Sequence, residues 1–231
     1  MNRLRLLATV PLVLVSLVPM AGAAQAQPRV PADCAVPPDI DLGDYHVVIG
    51  TNGADVLRGT RGPDFICGRL GNDVISSFRG NDLILSDTTT FFGNVNARGG
   101  DDVVLAGSGN DEVLPGPGDD IVKGAGGDDF LALAVGNDFG NGGAGDDQII
   151  GGLGTDTILG ALHDDFLAGG PGNDVINGGA GNDFLAGELP PPPPGTEPPP
   201  LPGPPSRRDL CIGAGGVDTA FECDHTFGIE R

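Results

Sequence analysis

Residues 151–187 read GGLGTDTILGALHDDFLAGGPGNDVINGGAGNDFLAG. Asp156, Asp165, Asp174 and Asp183 stand nine residues apart, and an aliphatic follows each two positions later: Ile158, Leu167, Ile176 and Leu185. Counting backward at this period gives eleven units from Ala186 to Thr88. Ser86 and Asp87 interrupt the count, and four more units reach Gly50. The sixth position is Asp in fourteen of the fifteen units: Asp55, Asp64, Asp73, Asp82, Asp102, Asp111, Asp120, Asp129, Asp138, Asp147, Asp156, Asp165, Asp174 and Asp183. Gly93 is the exception. The eighth position is Val, Ile or Leu in every unit but that of Gly140. A fixed short period of this kind signals a solenoid.

Each unit divides into two physical halves. Positions seven to nine are rich in Val, Ile, Leu and Phe, which suits a short strand with the eighth side chain turned inward. Positions one to six are rich in Gly, Asn and Asp, residues that accept tight turns. Two units make a coil of eighteen residues, with turns lining two sides. The predicted fold is all-β: a parallel β-roll, or β-solenoid, over residues 50–187. Its inward aliphatics form a thin core, and its stacked carboxylates repel one another. A multivalent cation would relieve both deficits. Calcium takes carboxylate and carbonyl oxygens and tolerates flexible geometry, whereas magnesium demands a stricter site. An Asp can also cap a turn through its own backbone, but Asn would serve equally. Asn is absent from position six yet fills position five at Asn72, Asn81, Asn110, Asn137, Asn173 and Asn182. Charge is therefore selected at six.

The units GGAGNDFLA (178–186), GGPGNDVIN (169–177), GGLGTDTIL (151–159) and GGAGDDQII (142–150) resemble the glycine-rich nonapeptide of RTX, or haemolysin-type, proteins, G-G-x-G-x-D-x-U-x. The resemblance implies a β-roll with Ca2+ in its turns. RTX toxins leave the cell without an N-terminal signal peptide. This chain begins with one, and so looks more like the small exported RTX-repeat proteins of Gram-positive bacteria. If each ion sits between two stacked turns, the fourteen Asp form two columns. One holds Asp55, Asp73, Gly93, Asp111 and onward; the other holds Asp64, Asp82, Asp102, Asp120 and onward. That arrangement allows at most eleven paired calcium sites, with a gap at Gly93. Alternate units would also share an outer face. Phe65, Cys67, Leu83, Leu85, Val103, Leu105, Ile121, Phe139, Leu159 and Val175 then form one apolar strip, fit for self-association or a protein partner.

The remaining segments are read in the same way. Residues 1–26 have a basic start (Arg3, Arg5), an apolar run and small residues ending at Ala26. This is the order of a signal peptide cleaved after Ala26, and the apolar run is short for a membrane span. The expected location is extracellular. Residues 27–49 are an N-terminal cap with a strand at YHVVIG, 188–206 a proline-rich linker or loop, and 207–231 a C-terminal cap with one degenerate repeat. Cys34, Cys67, Cys211 and Cys223 form an even set that suits two disulfides. Local closure favours Cys34–Cys67 and Cys211–Cys223, which would staple the two caps. A net charge of −20 excludes nucleic-acid binding through bulk charge. No H-E-x-x-H or G-x-S-x-G occurs, so no enzyme is expected. The roles weighed are a structural calcium-binding protein, a calcium-dependent adhesin or partner-binding module, and the non-catalytic remnant of a secreted hydrolase. An ice-binding face would need ranks of Thr or Asn, which are missing.

Overall fold

The computed structural model of the chain describes residues 40–87, 99–187 and most of 209–229, together with Val30, Pro31, Cys34 and Val36. The signal-peptide and proline-rich segments expected from the sequence lie outside the described residues. Two parallel sheets of nine strands each make up the fold. Successive strands alternate between them: His46–Ile49 in the first sheet, Val56–Arg58 in the second, Asp64–Arg69 back in the first. In the uninterrupted repeats, paired residues lie eighteen apart, as Ile149 with Leu167 and Ile158 with Ile176. This is the parallel β-roll that the nine-residue period predicts. Among the described residues there is no α-helix; a single 3-10 turn, Leu42–Asp44, precedes the roll.

The eighth positions meet between the sheets. Ile66, Ile75, Val104, Val122, Leu131, Ile149, Ile158, Leu167 and Ile176 are among the fully buried side chains of one continuous core. The exception at Gly140 has a local remedy. Leu133, at a first position that is elsewhere mostly Gly, is fully buried, and its Cδ1 lies 2.9 Å from where a Gly140 Cβ would stand. One side chain thus fills the hole that the other leaves.

The interruption corrects the expected stacking. Asp73 N–H bonds to Asp102 and Asp82 N–H to Asp111, each pair twenty-nine residues apart. The strand Leu83–Asp87 continues through the two residues counted as extra, and Leu85 pairs directly with Leu114. Residues 88–98, the eleven by which this step exceeds eighteen, lie outside the described residues. The register has a chemical reason. A turn containing Gly93 would offer no carboxylate to accept the Asp73 N–H, and stacking on Asp102 supplies one. The predicted gap at Gly93 is therefore absent from the ladder.

That shift also divides the expected apolar strip. Phe65, Cys67, Leu83 and Leu85 face outward on the first sheet, where Leu42, Cys34, Ile40 and Tyr45 cover them in a second hydrophobic cluster. Val103, Ile121, Phe139 and Val175 lie on the second sheet instead, in one row with Val56 and Val74, whereas Leu105 and Leu159 stand in the neighbouring row with Ser76, Lys123, Asn141 and Asn177. The caps are stapled as local closure predicts: Cys34–Cys67 and Cys211–Cys223 have Cα separations of 6.0 and 6.1 Å. The C-terminal segment is more than one degenerate unit. Leu210–Gly215 and Thr219–Phe221 extend opposite sheets and form a further coil.

Candidate metal centre

All fourteen sixth-position Asp enter two ladders. In each, the backbone N–H of one Asp donates to Oδ1 of the Asp in the next turn on the same side, as Asp129 to Asp147 at 2.8 Å and Asp138 to Asp156 at 2.9 Å. One ladder runs Asp55, Asp73, Asp102, Asp120, Asp138, Asp156, Asp174, Asp209. The other runs Asp64, Asp82, Asp111, Asp129, Asp147, Asp165, Asp183, Asp218. Each ladder has seven adjacent pairs, fourteen in place of the eleven expected. Asp218 is the sixth position of the degenerate unit, whereas Asp209 escaped sequence reading. Its unit carries Pro and Arg where Gly is usual, and only the stacking reveals it.

The second carboxylate oxygen has no such bond. Oδ2 of Asp102, Asp111, Asp120, Asp129, Asp138, Asp147, Asp156 and Asp165 is buried with no hydrogen-bond partner. Leaving a buried acceptor unsatisfied costs about 1–3 kcal/mol, and more for a charged group. These oxygens point at a consistent feature. A Cβ on Gly160 would collide with Asp165 Oδ2 and stand 2.6 Å from the Gly178 carbonyl oxygen. Gly151 and Gly124 repeat the arrangement with Asp156 and Gly169, and with Asp129 and Gly142. The missing side chain leaves a space bordered by a carboxylate and a carbonyl of the next turn.

Burial dominates the electrostatics. It pushes Asp120 and Asp138 up to about 8 and Asp102, Asp111, Asp129 and Asp165 up to about 7, against the bond donated by the preceding Asp N–H. Asp147 and Asp156 rise to about 6. Like charge from neighbouring carboxylates adds to the shift at Asp120 and Asp138. Such a site favours whatever neutralises it, a proton or a cation. Among the described residues no three His, Cys, Asp or Glu side chains converge as a metal cluster. Any bound ion must draw on backbone carbonyls as well. An all-oxygen set of carboxylates and carbonyls is the donor chemistry of a hard cation such as calcium.

An outer ladder runs beside the buried one. Position five bonds in the opposite direction: Asp146 N–H donates to Asp128 Oδ1 and Asn182 N–H to Asp164 Oδ1. These side chains are exposed, so Asn and Asp serve equally there. The Asn–Asp contrast between positions five and six thus has a structural basis.

The sequence matches the model of the RTX calcium-binding nonapeptide repeat over residues 49–84, 94–113, 116–140, 134–167 and 159–189. The chain belongs to that family. A comparison with curated proteins finds no match. The RTX repeats imply calcium binding, and the turns described above supply oxygen donors suited to it. The matched segments take in all fourteen sixth-position Asp. The two disulfides suit an oxidising compartment, which accords with the extracellular setting typical of RTX proteins. Among the described residues no helix is long and apolar enough to cross a membrane.

Proposed function

We propose that this is an exported structural protein whose roll is completed by calcium ions bound between stacked turns. The observation that carries this reading is the buried, unpartnered Asp Oδ2 repeated turn after turn beside a backbone carbonyl. The ions neutralise the stacked carboxylates, so binding free energy becomes folding free energy. Signal-peptide cleavage after Ala26 would deliver the chain to millimolar calcium, where weak sites fill. The ligands in this reading are the sixth-position Asp and turn carbonyls. Isothermal calorimetry on the mature chain tests it: several calcium ions should bind, and Asp165→Ala should bind fewer. A wild-type chain that binds none would refute it.

A second, compatible reading is a partner-binding or self-associating face. The outer face of the second sheet presents Val56, Val74, Leu105, Ile121 and Val175 to solvent, with Val56 70% exposed. The corresponding face of the first sheet is covered near the N-terminus. A row of exposed apolar residues, Val56, Val74, Ile121 and Val175, with Leu105 beside it, suits an interface with a partner. Changing Val74, Leu105 and Ile121 together to Thr should lower the apparent mass in sedimentation with calcium present. A wild-type monomer indistinguishable from the variant would remove self-association.

A further inference from the structure

The ladders do not begin as they continue. In the first coil the carboxylate oxygen that later turns leave bare is already satisfied. Thr51 donates its N–H (2.6 Å) and its hydroxyl (2.9 Å) to Asp55 Oδ2. Thr60 repeats the pair on Asp64 Oδ2, at 2.7 and 3.3 Å. His46 Nδ1 lies 2.9 Å from Asp64 Oδ1, in the place where an Asp of a preceding turn would donate.

The backbone explains the difference. Thr51 and Thr60 hold the second position of their units. At the same position Ala161 and Gly152 have φ of +90° and +113°. That left-handed turn carries the N–H away from the unit's own Asp: Gly152 N–H donates to the Gly169 carbonyl at 2.8 Å. Thr51 and Thr60 are not left-handed. A β-branched residue strongly disfavours positive φ, so Thr here keeps the N–H aimed at its carboxylate. The first coil also carries the Cys34–Cys67 disulfide and lies against the second hydrophobic cluster.

We propose that the first coil, residues 46–69, is a calcium-independent seed onto which later coils assemble as calcium loads. Asp55 and Asp64 are then hydrogen-bonded anchors and hold no ion, unlike Asp129, Asp147 and Asp165. The seed gives the next strands a preformed parallel edge. Adding one strand to a fixed edge avoids the entropic cost of closing a coil from disordered chain. This inference rests on the calcium reading above, and the test separates the two.

Hydrogen exchange is measured by mass spectrometry on the mature, disulfide-bonded chain, in excess chelator and in millimolar calcium. In chelator, residues 46–69 should exchange at least about tenfold more slowly than residues 142–186. Calcium should then protect 142–186 and leave 46–69 little changed. Equal exchange of both segments in chelator, with both protected by calcium, overturns the seed and leaves the calcium reading intact. Full protection of both without calcium defeats both. Native mass spectrometry gives an independent check in calcium. Asp64→Asn should retain the wild-type number of ions and Asp165→Asn should lose at least one. Equal losses would overturn the inference.

Discussion

At the scale of the residue, each ladder Asp from Asp102 to Asp165 does two jobs with two oxygens. Oδ1 accepts the N–H of the turn before it and sets the spacing of the coils. Oδ2 is left in a buried space where only a proton or a cation can meet it. Asn could do the first job but not the second, which is why it fills the exposed fifth position and never the sixth. The raised acidities predict a pH dependence for the calcium-free protein. Folded Asp102, Asp120, Asp138 and Asp165 hold protons up to about 7 or 8, whereas an unfolded Asp releases its proton near its ordinary value of 3.8. The folded state therefore binds more protons between about pH 4 and 8. Its protonation stability is fully present below about pH 4 and is lost as pH rises through 6 to 8. In chelator, the β signal in circular dichroism should be larger at pH 5, where protons neutralise the ladders, than at pH 8. With calcium the trend should reverse at the acid end, because protons compete with the ion for the same oxygens. A calcium-free β signal that grows from pH 5 to pH 8 would contradict this account of the ladders.

At the scale of the element, the strands were legible because the period alternates cleanly between an inward aliphatic and a turn Asp. The insertion was misread for a physical reason. TTTFFGNVN at 88–96 keeps an aliphatic, Val95, at its eighth position, so counting accepts it as a repeat. Stacking is decided instead by the sixth position, and Gly93 offers no acceptor. Asp209 was hidden for the converse reason: its turn supplies the acceptor for the Asp174 N–H while its sequence lacks the glycine signature. The pair Leu133 and Gly140 was visible only as two unrelated exceptions until their contact joined them. That contact is testable. Leu133→Ala should lose roughly 2–5 kcal/mol through the cavity it opens. Gly140→Leu should lose about 1–3 kcal/mol by overpacking against Leu133. Combining Gly140→Leu with Leu133→Ala returns the aliphatic to the eighth position and a small residue to the first, and should cost less than the sum of the single changes. Urea unfolding in saturating calcium measures all three. Strict additivity would mean that the two positions do not compensate.

At the scale of the molecule, the two faces of the roll have different fates. One is covered at its N-terminal end by a stapled segment, and no described residue covers the other in the same way. The ends are closed by covalent links, as a solenoid of modest core requires. Between them runs a roll with a thin core and buried carboxylates, which in the proposed calcium reading stays short of stability until cations arrive. Far-ultraviolet circular dichroism of the mature, oxidised chain during a calcium titration tests this central claim most directly. In excess chelator at pH 8 the β signal should be small and largely that of the first coil. It should rise cooperatively to that of a full roll in the millimolar range, and magnesium at the same concentration should not reproduce it. A full β spectrum in chelator, unchanged by calcium, would contradict the account.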